Sequence, residues 1–486
     1  MKITKLEKYR PALHFSPRKN WMNDPNGLVF FKNEYHLFYQ HNPHGSTWGP
    51  MHWGHAVSKD LITWDELEIA LHPDENGTIF SGSAVVDWNN TTGFFKEEPG
   101  LVAIFTHHSE GDHGKQAIQT QSLAYSLDNG RSWIKYDGNP VLAHPSKPDF
   151  RDPKVFWHKE TKKWIMVLAT GQTISLYSSA NLKEWKFESE FGESCGSHEG
   201  VWECPDLFEL SIENSNDKKW VLIVSIGDNP NYDEGSRTQY FVGSFDGKKF
   251  TSEHEDIKWL DYGKDNYAGV SFSDIPEADG RRIYLGWMSN WRYANQVPTE
   301  GWRSQMTLPR ELELHEKKGD YYLVQNLVRE LDTYFDIKEE RKEVIVSEEE
   351  RTFFEVDDDY LEIILSLKNM NANKYGLTIE HTDSQYTTIT IYAKENVLYL
   401  SREKSGVVDF SDNFPKLQRI RLKDSNQLQL RIIIDSSSLE LFIDGGEQAL
   451  TSLIFPDKVS KRIALFAEEG KVNLVYGKVS VPSKKG

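Results

Sequence analysis

Apolar and polar residues alternate in short runs along the first 326 residues, and no long stretch keeps the helical period. Five times a short apolar strand, a polar turn and a second apolar strand recur. They are GLVFFKNEYHLFYQ from Gly27, SGSAVVDWNNTTGFF leading to LVAIFTHH, KVFWHKETKKWIMVLAT from Lys154, LFELSIENSNDKKWVLIVS from Leu207 and GVSFSDIPEADGRRIYLGWMS from Gly269. Each predicts a hairpin. Four hairpins are followed by a strand, a turn rich in Ser, Asp, Asn or Gly, and an aromatic opening of the next strand: AVSKDLITWDE at Ala56, AYSLDNGRSWIKYD at Ala124, LYSSANLKEWKFESE at Leu176 and VGSFDGKKFTSE at Val242. Two successive hairpins make a four-stranded sheet, and repeats spaced by roughly 50 to 70 residues are those of stretched propeller blades. The pattern predicts a five-bladed β-propeller from about Tyr9 to Val324. A generic sandwich would alternate too, but would leave the fivefold echo unexplained.

Beyond Leu327 the texture changes. VRELDTYFDIKEERKEVIVSEEER is highly charged and reads as a short helix or an irregular linker. Strand-like runs then return in YLEIILSL, YTTITIYA, VLYLSRE, LQLRIIIDSSSLELFID and RIALFAEE, with turns at DSSS and DGGE. Their close spacing predicts an antiparallel sandwich. The expected organisation is therefore all-β: a propeller over 1–326, a linker over 327–340 and a β-sandwich over 341–486. The second domain shows no acidic constellation, so the expectation for it is a structural partner burying one propeller flank. Carbohydrate binding is the sharper alternative.

Composition narrows the partners. At 486 residues two domains are expected rather than one. Aromatic residues make up 13%, with 15 Trp and 21 Tyr, and such rings stack on sugar faces as well as filling cores. A formal charge of −18 opposes nucleic acid or an anionic membrane as partner, and a neutral substrate fits better. Two cysteines, Cys195 and Cys204, build no disulfide framework. No secretory signal follows Met1 and no run of 18 apolar residues occurs, so the chain as given is expected in the cytoplasm, or outside the cell if a leader has been trimmed.

Three acidic motifs then stand out: WMNDPNG at Trp21 to Gly27, FRDP at Phe150 to Pro153 and WECPD at Trp202 to Asp206. Any one alone is ordinary turn chemistry. Their recurrence, each expected just before the first strand of a repeat, would bring Asp24, Asp152 and Glu203 together at the propeller axis. Converging acids are tolerated chiefly at functional or cation sites. No compact loop offers the six or more oxygen ligands that calcium takes, and catalysis is the preferred reading. His107, His108 and His113 in THHSEGDH lack a matching ligand set, so no metal is expected. Glu199 in SHEG competes with Glu203 but lacks its position in the repeat.

These motifs, with FYQHNP at Phe38, Trp48-Gly49, FSGS at Phe80, DYGKDNYAG at Asp261 and WRSQMTLPREL at Trp302, resemble glycoside hydrolase family 32, the β-fructosidases. The resemblance covers nearly all of the first domain and is strongest to fructan β-fructosidases of levanase or exo-inulinase type. It implies Asp24 as nucleophile, Glu203 as acid/base and Asp152 as transition-state stabiliser. It further implies that Trp21, Asn23, Gln40, Trp48, Phe80, Ser81, Arg151 and Trp287 bind substrate, with Asp265 and Tyr267 shaping the pocket or the next subsite. The chemistry needs no cofactor. The activity implied is retaining hydrolysis releasing fructose from non-reducing ends of levan, inulin and sucrose. An endo-acting levanase or inulinase, a sucrose or sucrose-6-phosphate hydrolase and a fructosyltransferase are the alternatives, and a non-catalytic fructan-binding protein comes last because all three acids are present. A retaining pair of carboxyls stands roughly 5 to 5.5 Å apart, an inverting pair roughly 6.5 to 9.5 Å.

Overall fold

The computed structural model describes residues 7–111, 117–348, 352–423, 427–460 and 462–484. Seven antiparallel-dominated sheets account for almost all of its regular structure. Five are the expected blades, numbered I to V by their inner strands Asn20–Phe31, Thr78–Val86, Arg151–His158, Trp202–Ser211 and Tyr267–Ser271. Each inner strand packs on the next and the fifth packs on the first, which closes the ring. Blade I is sealed to the chain that follows blade V's second strand: Asn20 and Trp21 pair in parallel with Trp302 and Arg303. A second stitch joins blades I and V, where Phe30 N–H donates to the Ser273 carbonyl and Ser273 N–H to that of Leu28. Among the described residues no helix is long and apolar enough to cross a membrane.

The polar turns of the repeat have a common construction. Ser58 and Asp60, Ser126 and Asp128, and Ser179 and Asn181 bridge through their side chains across one intervening residue. The turn then passes through a left-handed residue: Leu61 at φ 68°, Gly130 at 86° and Leu182 at 64°. The carbonyl of that residue accepts the indole N–H of Trp64, Trp133 or Trp185. A turn that exposes backbone carbonyls is thus capped by the aromatic residue opening the next strand, which is why Ser, Asp and Trp recur at fixed offsets.

The sandwich consists of two six-stranded sheets. Its strand Leu428–Asp435 shows how one sheet serves two cores. Leu428, Leu430, Ile432 and Ile434 face the partner sheet, whereas Ile433 points into the propeller's own core beside Met22, Phe272 and Leu308. Phe442 and Ala449 do the same on the neighbouring strands. Burial on both faces explains the unbroken apolar run there. The seam between domains is also polar. Asp435 accepts the backbone N–H groups of Ala12 and Leu13, and the ring of His14 sits between Asp435, at 2.7 Å, and Glu440, at 2.9 Å. Burial pulls His14 down, but the two carboxylates outweigh it and raise it to about 9. Glu440 also accepts Arg310 Nη2 at 2.6 Å.

Two expectations are corrected. The charged stretch does hold a short helix, the 3-10 turn Arg329–Tyr334, but the linker expected over 327–340 ends sooner, since from Phe335 the chain is already the edge strand Phe335–Val346 of the sandwich. The acids do not precede the inner strands but lie inside them. The reason is a bulge in each strand, which lets pairing continue upstream of the acidic motif.

Candidate active site

All five inner strands carry a one-residue bulge at matching depth: between Met22 and Pro25, Ile79 and Gly82, Arg151 and Lys154, Glu203 and Asp206, and Tyr267 and Val270. Proline is accommodated at such points because the ladder asks no N–H of it. In blades III to V a bulge residue takes left-handed backbone, Asp152 at φ 62°, Cys204 at 45° and Ala268 at 53°. Non-glycine residues in that region cost on the order of 1–3 kcal/mol each and persist where the surroundings over-determine them. Glu203 and Arg151 hold the same place in their own ladders, immediately before the bulge, and Cys204 and Asp152 are the first residues within it.

The bulges turn the three acids onto a single cavity of about 180 Å³, lined by Asn23, Asp24, Gln40, Trp48, Phe80, Ser81, Arg151, Asp152, Glu203 and Trp291. Asp24 accepts Asn23 Nδ2 at 3.0 Å and Ser81 Oγ at 2.8 Å. Asp152 accepts the Cys204 backbone N–H at 3.0 Å, while its own N–H donates to Thr106 Oγ1. Cys204 Sγ lies between the two, 3.5 Å from Asp24 and 3.7 Å from Asp152. Burial and the surrounding carboxylates push the thiol well up, so it keeps its one proton and can donate it to either acid. Glu203 is held from two sides: Arg151 donates to Oε1 from Nη2 at 3.0 Å and from Nε at 3.3 Å, and the Tyr267 hydroxyl donates to Oε2.

Burial dominates the electrostatics. It pushes Asp24 up to about 6 against its Asn23 donor, with the charge of Glu203 adding to the rise. It pushes Asp152 up to about 7, opposed by Arg151 and reinforced by Glu203 and Asp24. Burial pulls Arg151 down, but Glu203, Asp152 and Asp149 outweigh it and hold the guanidinium charged. One cation thus serves three carboxylates, an arrangement found where acids must differ in protonation.

Residues 14–326 match the N-terminal domain of glycosyl hydrolases family 32, and residues 330–481 match that family's C-terminal domain. The chain belongs to glycosyl hydrolase family 32. A levanase of Bacillus subtilis is 50% identical over 478 residues, 96% of this chain and 69% of that protein. The extracellular exo-inulinase of Aspergillus niger is 37% identical over 500 residues, 94% of this chain and 91% of that protein. The crystal structure of exo-inulinase from Aspergillus awamori superposes with a TM-score of 0.90 at 34% identity, covering 98% of each chain. The chain is therefore a glycosidase.

Of the residues expected to bind substrate in this family 32 glycosidase, Asn23, Gln40, Trp48, Phe80, Ser81 and Arg151 line the cavity. Phe80 is braced from behind by the ring of His108, stacked at 4.3 Å, and Trp48 leans on its edge. Four others are placed differently. Trp287 and Trp21 are fully buried in a layer behind Trp291, which stacks on Trp21 and alone of the three borders the cavity. Tyr267 is buried and reaches Glu203 rather than open space. Asp265 turns away altogether, toward Arg402 and Tyr293. Trp291 went unread because only packing distinguishes it from Trp287, four residues earlier. Asp149, which pairs with Arg151, immediately precedes FRDP, and an acid two residues before an arginine is a signal the sequence displays.

The other candidates separate cleanly. His107 meets Ser122 and Asp74, and His108 meets Gln119, so neither contributes to a ligand cluster; His113 lies outside the described residues. Among the described residues no group of three metal-ligating side chains occurs. Glu199 is absent from the cavity lining.

Proposed function

We propose that the enzyme is a retaining β-fructosidase that releases fructose from the non-reducing ends of β-fructans of levan or inulin type, and from sucrose. The observation that carries this reading is the meeting of three carboxylates on one cavity of about 180 Å³. That is well below the roughly 300–1,000 Å³ of drug-sized pockets and suits one sugar ring rather than a threaded polymer.

In the first half-reaction Asp24 attacks the anomeric carbon of the terminal fructosyl unit, the bond to the leaving oxygen breaks, and Glu203 gives its proton to that oxygen. In the second, Glu203 takes a proton from water, the hydroxide attacks the same carbon, and Asp24 departs as carboxylate. Asp152 accepts hydrogen bonds from sugar hydroxyls as positive charge develops on the ring. Arg151 stays cationic throughout and tempers the repulsion among the acids. Trp291, Phe80 and Trp48 offer ring faces and edges to the sugar. The 50% identity to a levanase and 37% to an exo-inulinase support the substrate class.

A chromatographic time course of products from levan and inulin at low conversion tests the reading. Free fructose from the first points is expected; oligosaccharides appearing first would establish endo action instead. Asp24→Asn is expected to abolish turnover, since a catalytic unit lacking its nucleophile loses on the order of 10⁴-fold or more. Substantial remaining activity would refute its role.

A further inference from the structure

The sandwich does more than cover a flank of the propeller. The lead-in to blade V's inner strand, residues 261–266, runs along the sandwich strand Gln448–Leu453 and is fixed to it at successive positions. Tyr262 N–H donates to the Ala449 carbonyl and Asp265 N–H to that of Thr451, while the Thr451 and Leu453 N–H groups donate back to the carboxylates of Asp261 and Asp265. Gly263 lies so close that a Cβ would stand 2.0 Å from the Thr451 carbonyl oxygen. The next inner-strand residue to emerge is Tyr267, whose hydroxyl holds Glu203.

One sandwich side chain ties this segment to the pocket wall. Arg402 is fully buried, stacked on Phe414 at 3.8 Å and anchored by the Phe414 and Leu453 carbonyls. Its Nη1 donates to Asp265 at 2.5 Å and its Nη2 to the Tyr293 hydroxyl at 2.8 Å; that hydroxyl in turn donates to Asp265 at 2.5 Å. Tyr293 lies two residues beyond Trp291, the cavity wall, and two before Asn295, whose side chain accepts the N–H of Trp48 at the rim. A closed three-membered network therefore fixes the segment that orients Glu203 relative to the segment that carries Trp291.

We propose that Arg402 and Tyr293 are positioning residues for catalysis: through Asp265 they set the register of Tyr267 against Glu203 and of Trp291 against the bound sugar. This rests on Glu203 being the acid/base. Neither residue touches the cavity, so the effect passes through backbone placement, where a displacement of about 1 Å costs up to roughly a hundredfold in rate.

The test compares Tyr293→Phe, which deletes one hydroxyl and keeps the ring, with Asp435→Asn, which weakens the seam at the His14 clamp. For both, kcat, KM, the pH profile of kcat/KM and Tm are measured on the full chain with a fructan substrate. Tyr293→Phe is expected to lower kcat/KM roughly tenfold or more. The loss should fall on kcat more than on KM, because Tyr267 meets Glu203 rather than the sugar. Asp435→Asn is expected to lower Tm and leave the shape of the profile unchanged. Should Tyr293→Phe not fold, Arg402→Lys carries the same test, since it keeps the charge but not the fork that reaches Asp265 and Tyr293 together. A Tyr293→Phe profile superimposed on wild type, with kcat/KM within twofold, overturns the proposal. Glu203→Gln in the same assay separates the two readings: if it remains active the acid/base assignment fails, and if it is inactive while Tyr293→Phe behaves as wild type only the positioning role fails.

Discussion

Asp24→Asn should make the protein more stable as well as inactive, and by an amount that depends on pH. Folding moves this carboxyl from 3.8 to about 6, chiefly by burial. A folded-state value above the unfolded one means the native state binds the proton more tightly. The associated stability is present in full below 3.8 and is lost as pH rises through 6, so wild type carries the whole penalty at neutral pH. That penalty is about 3 kcal/mol at 1.36 kcal/mol for each tenfold change in the proton equilibrium. The amide removes the charge but turns one acceptor into a donor facing Asn23, Ser81 or Cys204, giving back about 1–2 kcal/mol. The net gain is then about 1–2 kcal/mol, or a rise of roughly 1–2 °C in Tm for a protein of this size. Thermal unfolding of both proteins from pH 4 to pH 8 checks the sign. The variant's advantage should be greatest at pH 8, pass through zero at about pH 5 and reverse by pH 4, where most of the charge penalty has gone and the cost of the misplaced amide remains. A variant no more stable than wild type at pH 8, or one whose advantage is the same at both ends, would refute the burial argument for the acids.

Two further outcomes follow from the geometry. Trp291→Ala is expected to raise KM by about tenfold with a smaller change in kcat, because the ring borders the cavity without reaching the acids; steady-state kinetics that show only a kcat loss would contradict its placement. His14→Gln should destabilise the seam most below pH 6.5, where the ion pairs with Asp435 and Glu440 contribute in full; that contribution disappears as pH rises through about 9, so the Tm gap between wild type and variant should close over the same interval.

Much of this was legible along the chain because strand alternation and turn chemistry are local. The Ser-x-Asp turns with their tryptophans announced the blades, and Asp24, Asp152 and Glu203 were found through neighbours that a sequence displays side by side. Partners settle the remainder. The bulges that carry the acids into the inner strands exist only relative to the second strand of each blade, so the motifs read as lying ahead of the strands. The first half of Phe335–Val346, up to residue 340, reads as linker because it belongs to an edge strand whose outward positions are filled with Lys, Glu and Arg, the usual protection of an open edge. Asp265 reads as a pocket acid because Arg402 stands 137 residues away in sequence. Trp287 and Trp291 differ only in which one the surrounding rings leave uncovered.

The network at Asp265 also orders events during synthesis. Every residue of the cavity has left the ribosome by Trp291, yet the guanidinium and backbone groups that fix Asp265 belong to Arg402 and Leu453, 137 and 188 residues further on. Closing loops of that length carries an entropic cost that the propeller alone has no contacts to offset. A nascent chain can therefore complete its blades and still lack a finished catalytic centre until most of the sandwich has emerged. The two modules are tied by a charge each holds for the other: a sandwich without the guanidinium of Arg402 would leave Asp265 a buried, uncompensated charge where the pocket wall is meant to be held.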